Sequence, residues 1–357
     1  MMKDPIWKNE AQAGFALKNL YRRYGYIPYK MSRFEEYDLY VRNKDFLVSD
    51  QIITFSDRSG RLLALKPDVT LSIVKNAPEE PGVVQKVYYH ENVYRDYREI
   101  PQAGLECVGD LGDYEIAEVV LLAAKSLQLL GGCWVLDISH MGLLAAVLED
   151  SGLDREAQKQ AMEYLHRKNF HQLKALCDGE PVWEKLSAIA ACRGGRDALE
   201  QLEVLLTSDA EQQALSQLKG LWNILEASGC ADSVRLDFSV GNNMRYYSGV
   251  VFRGYLEGIP ASVLSGGQYD KLPRKMGRKA KAIGFAVYLD LLQNRNREED
   301  AFDVDTLILH DGSADPLILT AAAEEAAAKG TVLVTRELPT ARNWKQLLRF
   351  EKGAWVK

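Results

Sequence analysis

At 357 residues the chain can bury a large core and has room for two or three domains. Its 47% hydrophobic and 26% charged residues exclude disordered and fibrous classes. The net charge of −6 argues against a long nucleic-acid-gripping surface. No apolar run reaches the length of a membrane span, and the start (Met1-Met2-Lys3-Asp4-Pro5) carries no export-type apolar stretch, so no membrane association is expected. The five cysteines are scattered without a C-x-x-C pair, which fits a reducing, cytoplasmic setting. His166 and His171 have near-ligand spacing, but no cysteine pair accompanies them, so neither a metal nor a cofactor is expected.

Residues 6–24 (Ile6, Trp7, Ala11, Phe15, Leu17, Leu20, Tyr21) have the spacing of an amphipathic helix that ends at Gly25. Tyr26 to Tyr40 reads as extended, with acids at Glu35 and Glu36. Asp50 to Leu65 reads as a hairpin turning at Asp57-Arg58-Ser59-Gly60. Lys66-Pro67-Asp68-Val69-Thr70 then opens a helix to about Asn76. Val83–Tyr89 and Ala103–Gly109 are strand-like, joined by a charged loop from His90 to Pro101. Tyr114 to Leu130 is a long helix behind Asp113, and Cys133–Ser139 is a strand.

From about 154 to 228 the pattern is helical, an insertion within a sheet domain, because strand patterning resumes at Ser233. Three glycine-separated β-type runs follow: Leu236–Ser239 with Met244–Phe252, Ser265–Asp270, and Ala282–Val287. The polar linker Gln293 to Asp300 leads to Val304–His310, Leu317–Lys329, Thr331–Thr335 and Trp344–Phe350, read as strand, helix, strand, helix. The expected architecture is α+β: an antiparallel sheet domain over 1–292 flanked by helices, with a small C-terminal α/β segment over 302–357. That last segment holds seven Lys and Arg against eight Asp and Glu, which argues mildly against nucleic acid there as well.

Asp68, Thr70, Gln102 and Glu106 are acceptor-rich and lie on or beside strands, while Tyr247 and Tyr269 add aromatic walls with hydroxyls. Acids and amide oxygens suit an ammonium group, and tyrosine faces suit a flat or cationic side chain; a free amino acid such as histidine answers that description. The bland alternative is that Asp68 and Thr70 cap a helix while Gln102 and Glu106 decorate a sheet. Taken one at a time, the residues fit that alternative at least equally well.

Their joint placement resembles the histidyl-tRNA synthetase core. The motifs are Tyr246-Tyr247-Ser248-Gly249-Val250-Val251-Phe252, Gly266-Gly267-Gln268-Tyr269-Asp270, Lys66-Pro67-Asp68-Val69-Thr70 and Gln102-Ala103-Gly104-Leu105-Glu106. The resemblance covers roughly residues 10 to 292 and implies the class II aminoacyl-tRNA synthetase fold. It also implies that the segments at Asp68, Thr70, Gln102 and Glu106 hold a substrate α-amino group and that Tyr247 and Tyr269 frame an imidazole.

The same resemblance marks what is missing. The arginines that hold ATP in such enzymes fall here on Tyr89, Leu291 and Asn242, and the proline of the dimer interface falls on Ser32. Arg95, Arg98 and Arg245 lie nearby but out of register. A Tyr, a Leu and an Asn do not stabilise charge on a triphosphate, so the chain is not expected to be an enzyme itself.

An amino-acid pocket without its phosphate ligands is similar to the regulatory subunits of ATP phosphoribosyltransferase, in which Pro-Asp-x-Thr and Tyr-Tyr-x-Gly-φ-φ-Phe are usual. That resemblance implies a short catalytic subunit as partner, a hetero-octamer built on a homodimer, L-histidine as feedback ligand in histidine biosynthesis, and no role for tRNA. Gln268 departs from the usual Gly-Gly-Arg-Tyr-Asp. The alternatives are an atypical histidyl-tRNA synthetase or amino-acid-activating enzyme and, ranked last, a tRNA-binding paralogue.

Overall fold

The computed structural model describes residues 10–47, 51–78, 80, 82–240, 246–294, 302–340 and 342–356. The expectations placed on Ile6, Trp7, Asp50, Asn242, Met244, Arg245 and most of the 293–300 linker lie outside them. The chain forms two compact units, Met1–Gln293 and Asn294–Lys357.

The first unit is built on a nine-stranded sheet. Its order is Ile27–Pro28, Val84–Arg95, Arg98–Gly109, Lys281–Tyr288, Leu264–Gln268, Val250–Leu256, Trp134–His140, Val234–Asp237, Arg193–Gly194. The six strands from Val84–Arg95 to Trp134–His140 are antiparallel throughout. The sheet as a whole is mixed, since Ile27–Pro28 and Val234–Asp237 join it in parallel. This corrects the expectation of an antiparallel sheet at its two flanks only.

Period-2 alternation divides the side chains between two cores. On Arg98–Gly109, Ala103, Leu105 and Cys107 pack behind the sheet with the helices Glu10–Arg23 and Asp113–Leu130. Gln102 and Glu106 line a cavity on the front face. A second, smaller core around Tyr40, Leu71, Ile73, Val87 and Tyr269 covers that front face. Because both faces are covered, this strand is buried from Gln102 to Gly109 despite its polar residues.

Three expectations are corrected. The charged stretch His90–Pro101 is not a loop: the strands continue to Arg95 and Arg98 around a two-residue turn whose Asp96 and Tyr97 both have positive φ (50° and 59°), the geometry of a tight hairpin. Its tip is exposed and charged, with only Arg95 lining the cavity, and that polarity imitated a loop. Trp344–Glu351 is a strand rather than a helix, parallel to Val304–His310 and turned back through Lys352-Gly353 onto Ala354–Val356. The spacing of Trp344, Leu347 and Leu348 imitates a helix, whereas the Lys-Gly turn was the better signal. Tyr26–Tyr40 is not continuously extended, because Tyr37–Arg42 is a short helix after the strand Phe34–Glu36.

The insertion's helices run from Arg155–His166 to Asp209–Ala227, and they share one core with the sheet domain: Leu218, Leu221 and Trp222 belong to the cluster that includes Leu143 and Leu144. Its polar anchor is Glu211, which is fully buried. Glu211 accepts from Lys185 Nζ at 2.6 and 2.8 Å and from the Thr207 and Ser208 amides at 2.8 and 3.0 Å. Truncating one member of such a group leaves desolvated donors behind. Glu211→Ala is therefore expected to cost the full chain ~3 kcal/mol in urea unfolding. Glu163→Ala, which breaks an exposed Arg167 pair, should stay within about 0.5 kcal/mol. Equal effects would show that Glu211 is not an anchor.

Candidate functional site

The segment Lys66–Thr70 leaves the strand Leu62–Leu65 and enters the helix Thr70–Lys75. Three contacts bind it to the hairpin tip opposite. Buried Lys66 pairs with Glu91, the Tyr94 amide donates to Lys66 O at 2.9 Å, and Arg95 Nε donates to Pro67 O at 2.8 Å. The segment therefore cannot shift without the hairpin, and this fixes where Asp68 and Thr70 project. Asp68 Oδ1 accepts the Leu71 amide at 2.9 Å, so the capping role read from sequence is present as well.

Thr70 Oγ1 donates to Glu106 Oε1 at 2.7 Å, and the Tyr269 hydroxyl donates to Glu106 Oε2. Tyr269 is aimed by its neighbours. Its amide donates to Ala282 O at 2.8 Å, and Asp270 accepts from the Ala282 amide and from Gln268 Nε2 at 3.0 and 2.8 Å. The floor beneath is glycine by necessity. A Cβ on Gly284 would stand 1.7 Å from Glu106 Oε2, one on Gly267 2.8 Å from the Tyr247 ring, and one on Gly104 2.6 Å from the Tyr89 hydroxyl.

Above that floor is a cavity of about 460 Å³. All six residues singled out from sequence, Asp68, Thr70, Gln102, Glu106, Tyr247 and Tyr269, line it. Gln102 is 2% exposed and its Nε2 has no hydrogen-bond partner among the described residues. A donor so placed is costly unless something in the cavity accepts from it. Burial pushes the Glu106 carboxyl up to about 8, with the Tyr269 and Thr70 hydroxyls pulling it back and Asp68 pushing it further up. Burial likewise raises Asp68, against the Arg95 guanidinium and the local amides. Two acids that resist ionising together suit a group that brings a positive charge, whereas the unpaired Gln102 amide donor calls for an acceptor.

Sequence reasoning missed part of the wall. Tyr246 also lines the cavity, with its ring 4.7 Å from Tyr247, 5.6 Å from Tyr269 and 5.6 Å from Phe46. Arg253 lines it too; the even spacing 247, 249, 251, 253 was the available signal.

Two of the three positions expected to have lost cations, Tyr89 and Leu291, are among the described residues. Tyr89 is 3% exposed, lines the cavity, and has a hydroxyl that burial keeps neutral. Leu291 packs against the rear core, and Arg98 is exposed and does not line the cavity. Ser32 accepts the Phe34 amide at 3.3 Å on the surface. Gln268 does not line the cavity; its side chain donates to Asp270 and stands over Gly249.

Residues 3–292 match the family model described as histidyl-tRNA synthetase. The chain belongs to the histidyl-tRNA synthetase family. Within it, this member is 29% identical over 300 residues to the ATP phosphoribosyltransferase regulatory subunit of Clostridium kluyveri, across 79% of this chain and 77% of that one. The fold is similar to the crystal structure of an ATP phosphoribosyltransferase regulatory subunit/histidyl-tRNA synthetase from Bacillus halodurans, with TM-score 0.75, 24% identity and coverage of 99% and 97% of the two chains. It is also similar to a chain of the ATP phosphoribosyl transferase (HisG:HisZ) complex from Thermotoga maritima, with TM-score 0.62, 19% identity and coverage of 78% and 96%. At these identities the two structures establish the fold. The family read from the motifs is thus the family found, and its α+β, class II architecture is the one observed. No helix among the described residues is long and apolar enough to cross a membrane.

The raised Glu106 pKa gives a signed pH dependence. A carboxyl at about 8 when folded, against 4.5 ordinarily, holds its proton longer in the folded state, so its contribution to stability falls as pH rises through that window. Between about pH 5.5 and about pH 8.5 the wild type is expected to lose more stability in urea unfolding than Glu106→Gln. Parallel pH profiles would place Glu106 in an ordinary ionisation range.

Proposed function

We propose that this member of the histidyl-tRNA synthetase family is a non-catalytic regulatory subunit of ATP phosphoribosyltransferase. It activates the short catalytic subunit in histidine biosynthesis and binds L-histidine in the Glu106 cavity as a feedback signal. The observation that carries this reading is the combination in one cavity of the six amino-acid-binding positions with a buried, neutral Tyr89 where an ATP-using relative carries an arginine. Forming an aminoacyl-adenylate develops charge on the α-phosphate, which fixed cations must stabilise. Tyr89 supplies none, and Leu291 is turned into the rear core. The relatives' names and the two-component complex among the structural neighbours support the same reading.

Histidine's α-amino group meets acceptors at Asp68, Thr70 and Gln102, and its imidazole lies among Glu106, Tyr247 and Tyr269. The assembly is a hetero-octamer built on a homodimer of this chain and works in the cytoplasm. Histidine alters activity only to the extent that it binds one arrangement of the assembly better than another, and the partner must then alter histidine affinity by the same factor. The net charge of −6 fits a subunit that does not grip tRNA.

The test is phosphoribosyl transfer from phosphoribosyl pyrophosphate to ATP by the short catalytic subunit, with and without this chain. Activity is expected only on mixing, with histidine-dependent ATP–pyrophosphate exchange absent. Exchange activity, or a catalytic subunit indifferent to this chain, would overturn the proposal. Asp68→Asn is expected to weaken L-histidine in calorimetry at least about tenfold, roughly 1.4 kcal/mol. Unchanged affinity would remove Asp68 from the site.

A further inference from the structure

The cavity has a second polar end. Arg253 stands in the strand Val250–Leu256 directly opposite Ser265 on one side and Asp137 on the other, so the three share the front face of the sheet. Asp137 is engaged elsewhere, accepting from Arg235 at 2.9 Å. Among the described residues Arg253 makes no hydrogen bond or ion pair, although it is half-buried and lines the cavity. A guanidinium withdrawn from water without a counter-charge is unfavourable, and its five donors are unused.

Beside it, Ser265 Oγ and the Tyr288 hydroxyl are hydrogen-bonded at 2.7 Å, and both line the cavity. Two hydroxyls that share one hydrogen bond use one proton between them and leave the other free to donate. This end is therefore rich in donors, whereas the Asp68 and Glu106 end is rich in acceptors. Between Glu106 and the Arg253 strand the floor carries only Gly284, Gly267 and Val251. Those three strand spacings amount to roughly 14 Å, which side chains at both ends shorten. Tyr247 stands within reach of both fields: burial raises its hydroxyl pKa, Arg253 lowers it, and Glu106 and Asp68 raise it.

We infer that Arg253, with the Ser265–Tyr288 hydroxyl pair, forms an anion subsite that takes the carboxylate of a ligand whose basic groups lie at Asp68 and Glu106. The cavity thereby selects a zwitterionic α-amino acid over its decarboxylated analogue. This deepens, and rests on, the reading of the cavity as a histidine site. Arg-to-carboxylate pairing in a partly water-excluded site adds direction as well as affinity.

The test uses calorimetry on the full chain with L-histidine and with histamine, which lacks the carboxylate, for wild type, Arg253→Met and Arg253→Lys, with each variant's Tm taken as the check on folding. Wild type is expected to prefer L-histidine at least about tenfold, Arg253→Met to lose that preference with histamine unaffected, and Arg253→Lys to regain part of it. If wild type and Arg253→Met bind L-histidine equally, the subsite is overturned while the histidine site stands. If wild type binds no L-histidine, the histidine reading fails, and inorganic phosphate decides the subsite. A Tm rise with phosphate over chloride at equal ionic strength, seen in wild type and absent in Arg253→Met, sustains it; equal responses overturn it.

Discussion

The Glu106 carboxyl group, held between the Thr70 and Tyr269 hydroxyls over Gly284, is the feature on which the rest of the site depends. Each of its supports comes from a different part of the chain: Thr70 from the start of a helix, Tyr269 from the end of a strand, and Gly284 from the next strand in the sheet. A carboxyl buried this deeply is tolerable only when hydrogen-bonded, and the same burial keeps its proton affinity high. The energetic constraint and the capacity to recognise a basic ligand are therefore one property. The glycine floor follows from it, since a methyl group at Gly284 would occupy the space the carboxylate needs.

Around this centre the molecule is stiffened where the ligand would lie. Lys66–Glu91 and Arg95–Pro67 lock the Asp68 segment to the central hairpin. The rear core continues unbroken into the inserted helices, so the sheet is supported from behind along its length. Arg95 and Arg253 both line the cavity but are not equivalent: Arg95 is used to hold backbone and sits beside Asp68, whereas Arg253 has its donors unused. Tyr89, whose hydroxyl burial keeps neutral, stands in the same wall and adds no cation to it.

Much of this was legible in the chain. Pro67-Asp68 with Thr70, Gln102 with Glu106, and Tyr247 and Tyr269 are far apart in sequence, yet the resemblance of their motifs to the histidyl-tRNA synthetase core placed them together. Other features were hidden. The hairpin tip 90–101 reads as a loop because His90, Asp96, Tyr97, Arg98 and Glu99 are exposed, and only Arg95 of this stretch lines the cavity. Trp344–Glu351 satisfies helical spacing by coincidence, and its pairing with Val304–His310 and, through the Lys352-Gly353 turn, with Ala354–Val356 makes it a strand. Arg253 lies outside the recognised motifs, and a charge on a strand does not by itself separate a side chain that faces a cavity from one on a solvated face.

The most direct measurement is a crystal structure of the full chain grown with L-histidine. The account predicts one histidine per chain in the cavity, with its imidazole among Glu106, Tyr247 and Tyr269, its amino group at Asp68 and Gln102 Nε2 no longer unpaired. An empty cavity with histidine bound elsewhere on the chain, or ATP bound productively beside Tyr89, would contradict it.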